Sequence, residues 1–273
     1  MVQITAAAVN NLRNKTGLPM MDCKVALTEA QGDEEKAIRI LRERGAKVLG
    51  ARSDRETSFG RFGLYTSATV GAMVELKCES APVTQTDEFI QFANDLAKQL
   101  AAGPGAATAD DLLKQPSPCG KGTLGERKQE MFNRIREVFN VGRMIRIEGK
   151  CGGYSHNAST VAGVLLQYEG GNEAVAKDVC MHIAAMRPVG LNKEDVPAEE
   201  VEKERSILRE AALKEGKPVV VVEKMVEGRM RSFFGERVLT EQAFVKDNNI
   251  TVGDFARQNG MKLNKFVNWE LGK

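Results

Sequence analysis

The side chains of this chain best suited to hold a metal or act as nucleophiles are His156, His182 and five cysteines, Cys23, Cys78, Cys119, Cys151 and Cys180. Their spacing does not suit such chemistry. No CxxC, HExxH, GxSxG or GxxxxGK[ST] occurs, so a zinc centre, an activated nucleophile and a phosphate loop are not expected. An odd, dispersed set of thiols fits a reducing cytoplasm, with most of them buried. No acid, base and nucleophile can be named as a converging set, so neither covalent catalysis nor a cofactor is expected. His182 falls in a helical stretch and reads as structural, while His156 in Tyr154-Ser155-His156-Asn157 reads by itself as a surface-turn histidine. Met20-Met21 offers flexible, polarizable side chains that suit either a core or an adaptable contact surface.

Composition narrows the classes further. A net charge of +2, with 42% hydrophobic and 28% charged residues, describes an ordinary globular chain. It provides no basic footprint for nucleic acid or an anionic membrane. The longest uninterrupted apolar run, Pro218 to Val222, is far too short to span a bilayer, and the first residues lack a secretory pattern.

The elements that must position these residues begin with three short helices. A helix up to Lys15 stops at Thr16-Gly17, where glycine takes the backbone angles of a helix end. Pro19 suits the first turn of a second helix, whose apolar face is Met20, Cys23, Ala26, Leu27 and Ala30. Gly32 ends it and Asp33 caps a third helix that buries Ala37, Ile38 and Leu41. Residues 46–60, rich in Arg, Lys, Gly and small side chains, read as a linker, with a short helix at Ala46 to Leu49 left open.

Next, Phe62 to Ser67 and Thr69 to Cys78 read as a hairpin turning near Ala68. Phe89, Phe92, Ala93, Leu96, Ala97 and Leu100 form the buried stripe of a helix over Asp87 to Ala102. A connection to Gly125 follows, then a helix over Arg127 to Phe139, a strand over Arg143 to Glu148 and a turn over Gly149 to Asn157. The pattern then repeats. Ser67-Ala68-Thr69-Val70-Gly71-Ala72-Met73-Val74 matches Ala158-Ser159-Thr160-Val161-Ala162-Gly163-Val164-Leu165, and Ala93, Asp95, Leu96 and Leu100 match Ala176, Asp178, Val179 and Ile183. The first copy has extra residues between strand and helix, in Glu79 to Asp87, and such insertions on a packed scaffold are where binding tends to sit. Pro197 to Gly216, with Val201, Ile207, Leu208, Ala211 and Ala212 as apolar positions, and Val219 to Arg231 read as two helices. Broken at Gly216-Lys217-Pro218, they should lie antiparallel. A final strand covers Lys265 to Leu271.

Several of these stretches carry a family resemblance. Thr16-Gly17, Met20-Met21-Asp22-Cys23-Lys24, Ala26-Leu27-Thr28-Glu29-Ala30 and Gly32-Asp33 resemble the opening signature of bacterial elongation factor Ts. Glu223 to Met230, Leu239 to Phe244 and Thr251 to Phe255 are similar to later parts of it. The resemblance implies an α+β fold. A ubiquitin-associated-like three-helix bundle (1–45) and a linker (46–60) would precede two related α+β subdomains (61–140, then 141–195 with 232–273). An antiparallel helical hairpin (196–231) would be inserted in the second.

It also implies a cytoplasmic nucleotide exchange factor that binds elongation factor Tu, GDP-bound or nucleotide-free, with no direct nucleic acid or membrane contact. A homodimer stays open. By the same resemblance Arg13, Met20, Met21 and Lys24 become contact residues of the bundle. Ser80, Ala81, Pro82 and Val83 form the loop that dislocates the partner's Mg²⁺, and His156 is a contact in a turn of the second subdomain. The family carries Thr-Asp-Phe-Val where this chain has Ser80-Ala81-Pro82-Val83. Pro82, which also disfavours helical geometry at the residue before it, should push Ala81 towards an extended backbone and make a rigid, smaller wedge. Several members continue into a further helical module, whose contacts do not carry over. The other reading is an adaptor that binds through the opening bundle without exchange activity.

Overall fold

The computed structural model describes residues 4–52, 54–120, 122–214 and 218–273, with the side chains of all of these except 46 and 49. It divides into two units, Met1–Gly63 with Val74–Ile145 and Leu64–Met73 with Arg146–Leu271.

The first unit opens with α1 (Ala6–Thr16), α2 (Met20–Glu29) and α3 (Glu34–Gly50). Each boundary has a local cause. Thr5 accepts the Ala8 N–H, Gly17 closes α1 at φ 67°, and Asp33 accepts the Lys36 N–H at 3.0 Å. Leu12, Cys23, Ala26, Leu27, Ala37 and Leu41 form a common core. Met20 does not join it: it is 45% exposed and lies off the buried Cys23–Ala26–Leu27 face. The linker expected from residue 46 starts later, because α3 runs on to Gly50 through the Ala46 to Leu49 stretch where short helix was left open. Gly45 explains this, because it is the point where α3 crosses α6 closely rather than a break; a Cβ there would land inside the Asn133 amide.

β1 (Phe59–Thr66), β2 (Val70–Cys78) and β3 (Asn140–Glu148) form a sheet in that order. β2 is buried on both faces from Gly71 to Leu76, including Glu75. That carboxylate receives Nη2 of Arg143 at 2.8 Å and Nε at 3.1 Å, a bidentate, charge-assisted pair. Burial alone would raise the pKa of Glu75, but the bonds from Arg143 hold it below the ordinary range. α4 (Asp87–Ala102), N-capped by Thr86, buries Phe89, Phe92, Ala93, Leu96, Ala97 and Leu100, the stripe the 3.6-residue period predicts. α5 (Ala109–Leu113) and α6 (Leu124–Ile135) follow. A Thr123–Glu126 capping box starts α6, and Arg136, left-handed at φ 65°, ends it short of the expected Phe139.

In the second unit β4 (Cys151–Asn157), β5 (Val161–Gly170) and β8 (Met261–Glu270) form an antiparallel sheet in that order. α7 (Glu173–Met186) lays Val175, Ala176, Val179, Cys180 and Ile183 against Val164, Leu166 and Tyr168. Both repeats therefore run hairpin then helix, β1–β2–α4 and β4–β5–α7. The expected turn at 149–157 is strand β4 from Cys151 onward, paired from Cys151↔Gln167 to Asn157↔Val161. Gly152 and Gly153 resemble turn formers, but they serve close packing, Gly152 against Ala176 and Gly153 against Leu64 and Thr66.

α8 (Ala198–Lys214) and α9 (Val219–Arg237) bury Ala212, Val222, Val226, Met230 and Phe233 between them. The ion pairs Arg205–Glu227 and Arg209–Glu223 step in opposite chain directions, as antiparallel helices require. Ile207 is 52% exposed and Ala211 is also exposed, so the seam uses only Val201, Leu208 and Ala212 of the expected positions. The expected break at Gly216-Lys217 lies outside the described residues. β6 (Ala243–Phe244), β7 (Asp247–Thr251) and α10 (Val252–Gln258) complete the unit.

Buried His182 is fixed in one tautomer by its partners. Nδ1 accepts the Val245 N–H at 3.2 Å, which leaves Nε2 to donate to Gln242 Oε1 at 2.9 Å.

Candidate partner interface

The loop after β2 is fastened at its base and open at its apex. Glu79 Oε1 accepts the Val138 N–H at 2.8 Å, and Oε2 receives Nη1 of Arg55 at 2.9 Å. Burial would raise the Glu79 pKa, but these partners together lower it, so the anchor stays ionised. Ser80 donates its N–H and its hydroxyl to the two oxygens of Glu137, at 3.1 and 2.5 Å. Beneath the loop Cys78 is buried, and burial, with Glu137 nearby, pushes its thiol up to about 12. It is an inert packing group rather than a nucleophile.

The apex is a single 3-10 turn, Pro82–Gln85. Ala81, expected to be extended, lies at φ −61°, ψ −42°, in the helical region. Its carbonyl is the reason, because it accepts both the N–H of Thr84 at 3.1 Å and the Thr84 hydroxyl at 2.7 Å. Those two bonds outweigh the usual preference of a residue before proline. Ala81 and Pro82 are exposed, Ser80 is half-buried and Val83 is only 9% exposed. Of the four residues expected in the loop, Ala81 and Pro82 thus form the free tip, Ser80 is an anchor, and Val83 is the floor.

On the bundle, Arg13, Met20, Met21 and Lys24 are all exposed, Met21 at 65%. Val25, which sequence reading did not single out, is also exposed and extends the methionine face. The exposed methionine pair beside an aliphatic side chain is not part of the core, and its flexible, polarizable side chains suit an adaptable apolar surface.

Residues 136–138 join these two surfaces. Arg136 donates Nη2 to Asp22 Oδ2 at 2.5 Å, tying down the helix that carries Met20 and Met21. The next residue, Glu137, holds Ser80, and the one after it, Val138, holds Glu79. Arg52 Nη1 in turn donates to the Arg136 carbonyl at 3.1 Å. Sequence reading missed this clamp because it continued the helix through these positions. The signal would have been a non-glycine helix end, which composition does not mark.

In the second unit His156 sits on β4, half-buried, with Nδ1 3.1 Å from the Tyr154 hydroxyl. The two share a strand face, as alternate residues do. A cavity of about 380 Å³ opens beside them, floored by Ala162, Met181, Ala184 and Val245. Among the described residues no group of three His, Cys, Asp or Glu side chains could hold a metal ion, and no helix is long and apolar enough to cross a membrane.

The arrangement offers surfaces for a protein partner. Comparison with known proteins gives those surfaces a context. The description of the family "Elongation factor TS" matches residues 68–273. Elongation factor Ts of Kineococcus radiotolerans is 40% identical over 277 residues, spanning all of both chains. Those of Methylococcus capsulatus and Lactiplantibacillus plantarum are 39% and 36% identical, covering all of this chain and 93% and 94% of theirs. A match over most of its length, together with full-length relatives at this identity, means that the chain belongs to the elongation factor Ts family of translation elongation factors.

Proposed function

We propose that this chain binds elongation factor Tu in its GDP-bound form, promotes release of GDP and leaves when GTP rebinds. The observation that carries this reading is the 136–138 clamp, which holds the exposed methionine face of α2 and the Ala81-Pro82 tip in one preorganised body. Preorganised contacts lower the ordering cost of association. The mechanism is one of linkage. A factor that binds the nucleotide-poor partner more tightly than the GDP-bound one shifts the population towards the former. By reciprocity, GDP weakens the factor by the same ratio.

The bundle face of Arg13, Met20, Met21 and Lys24 supplies affinity, with His156 as a further contact. The Ala81-Pro82 tip enters beside the partner's Mg²⁺ and phosphate site. Displacing the ion removes the largest local positive charge from the diphosphate, and GDP leaves. No covalent bond is made or broken. A second reading, binding without exchange, is favoured by one feature only: the tip is small, Ala81-Pro82 where the family has Asp-Phe. Replacing Ala81-Pro82 by Asp-Phe separates the two readings. If the tip enters the partner, an aromatic there should raise the rate of GDP release, because buried aromatic anchors are worth ~2 kcal/mol or more. An unchanged rate would remove the claim of insertion.

A further inference from the structure

β6 and β7 enclose a two-residue turn, Val245-Lys246, and this turn hangs on a buried ring. His182 is fully buried, and its Nδ1 accepts the Val245 N–H at 3.2 Å. Nε2 donates to Gln242 Oε1 at 2.9 Å, and Gln242, also fully buried, donates its own Nε2 to the Glu236 carbonyl at 2.9 Å. Both ring nitrogens are therefore committed, one as acceptor and one as donor. The residue before the turn is held independently, since buried Phe244 stacks on Phe255 at 4.2 Å. Val245 and Lys246 are exposed. Their other side-chain tether is the Lys246–Asp178 pair, whose ends are 48% and 29% exposed, so it holds weakly. The same two residues line the cavity of about 380 Å³ beside Tyr154 and His156.

A neutral imidazole can accept at Nδ1, but an imidazolium carries hydrogen on both nitrogens and cannot. With a proton on Nδ1, two N–H groups would face each other across the gap to Val245. The Gln242 side is indifferent, because Nε2 donates in either state. Protonation breaks one bond of the two, the one that holds the turn. The charges on the surrounding elements are engaged elsewhere: Asp178 with Lys246, Arg187 with Glu270, Glu241 with Lys193 and Asp254 with Arg257. Asp247 accepts from Asn249, and Glu236 offers the ring network its main-chain carbonyl. Burial lowers the His182 pKa and the Gln242 bond offsets only part of this, so the ring is neutral and the turn closed near neutral pH. In acid, opening the turn admits water to the new charge, which favours the open form.

We propose that His182 is an acid-sensitive latch. Its protonation releases the Val245-Lys246 turn and opens that wall of the cavity beside His156, while α7 and the Phe244–Phe255 stack stay in place. The latch is a property of the folded chain alone and does not depend on the exchange reading.

The test is a titration of the full-length protein, labelled with ¹⁵N, from about pH 7.5 to about 5. The amide signals of Val245 and Lys246 are expected to shift together with the His182 ring signals, at a midpoint below 6.5, while the amides of β8 keep their positions. The chain has two histidines, so His156→Asn removes the other ring and should leave these shifts intact. His182→Asn supplies an amide oxygen that can accept the Val245 N–H but does not titrate, and should abolish them. Should that variant fail to fold, the titration of His156→Asn decides by itself. Turn shifts that vanish in His156→Asn, or that persist in His182→Asn, would overturn the proposal. So would a turn that stays fixed while the His182 ring titrates, or that changes only as all signals are lost together.

Discussion

Ser80 places both of its donors on one carboxylate, so Glu137 anchors the base of the loop from outside it. Glu137→Ala should cost about 1.5–3 kcal/mol of stability, the range for hydrogen bonds to a charged group. It should also slow exchange while the bundle face still binds; an intact exchange rate would mean that the anchor is idle. The Arg136–Asp22 pair is about 40% exposed at both ends and is worth less, ~0.2–1 kcal/mol, so its role is orientation.

A second residue sets a pH dependence. Burial lowers the pKa of His182 below 6.5, only partly offset by its bond to Gln242. The unfolded chain then takes up a proton near 6.5 while the folded chain resists. Stability is therefore full above that pH and declines as pH falls towards the folded value. Denaturant titrations across this window should show the slope in the native protein and a flatter one in His182→Asn. The limits of sequence reading are clearest at this scale. Pro82 was expected to push Ala81 towards an extended backbone, but the backbone of Ala81 was decided by Thr84, whose hydroxyl reaches back to the Ala81 carbonyl. Propensity at one position does not report such a bond.

Among elements, repeated apolar spacing proved legible and close contacts did not. The stripe of α4 could be read directly, because burial on one face imposes its own period. Residue matching gave the repeated strand-then-helix order, but the first strand of the second hairpin was expected as a turn. The end of α3 could not be read directly, because Gly45 marks a helix crossing rather than a linker. Gly45→Ala provides a test. Helix propensity alone would favour alanine by about 1 kcal/mol, but overpacking against Asn133 should cost about 1–3 kcal/mol. The variant should therefore be destabilised, and adding Asn133→Ala should relieve part of the loss. For α8 and α9 the apolar seam should dominate. Met230→Ala is expected to cost ~2–5 kcal/mol, whereas removing the exposed Arg209–Glu223 pair should cost under ~1 kcal/mol in thermal unfolding. A reversed order would mean that charge, not packing, holds the pair.

Over the whole molecule, family membership rests on motifs spread along the chain, while the partner surfaces rest on what the folded chain leaves exposed. Met20-Met21 could be read either as core or as contact from sequence, and exposure takes both out of the core. His156 moved from the expected turn to a strand, because the pairing of β4 with β5 overrode its turn-forming neighbours. Linkage makes a further demand. If the chain raises the GDP dissociation constant of elongation factor Tu by some factor, GDP must raise the dissociation constant of this chain by the same factor. Isothermal titration of both legs of the cycle would check it.

The most direct test is the release of a fluorescent GDP analogue from elongation factor Tu of the same organism, with and without this protein. Strong acceleration at amounts well below those of elongation factor Tu is expected, with Glu137→Ala reducing it. Complex formation that leaves the release rate unchanged would contradict the exchange mechanism, and absence of a complex would contradict the partner itself.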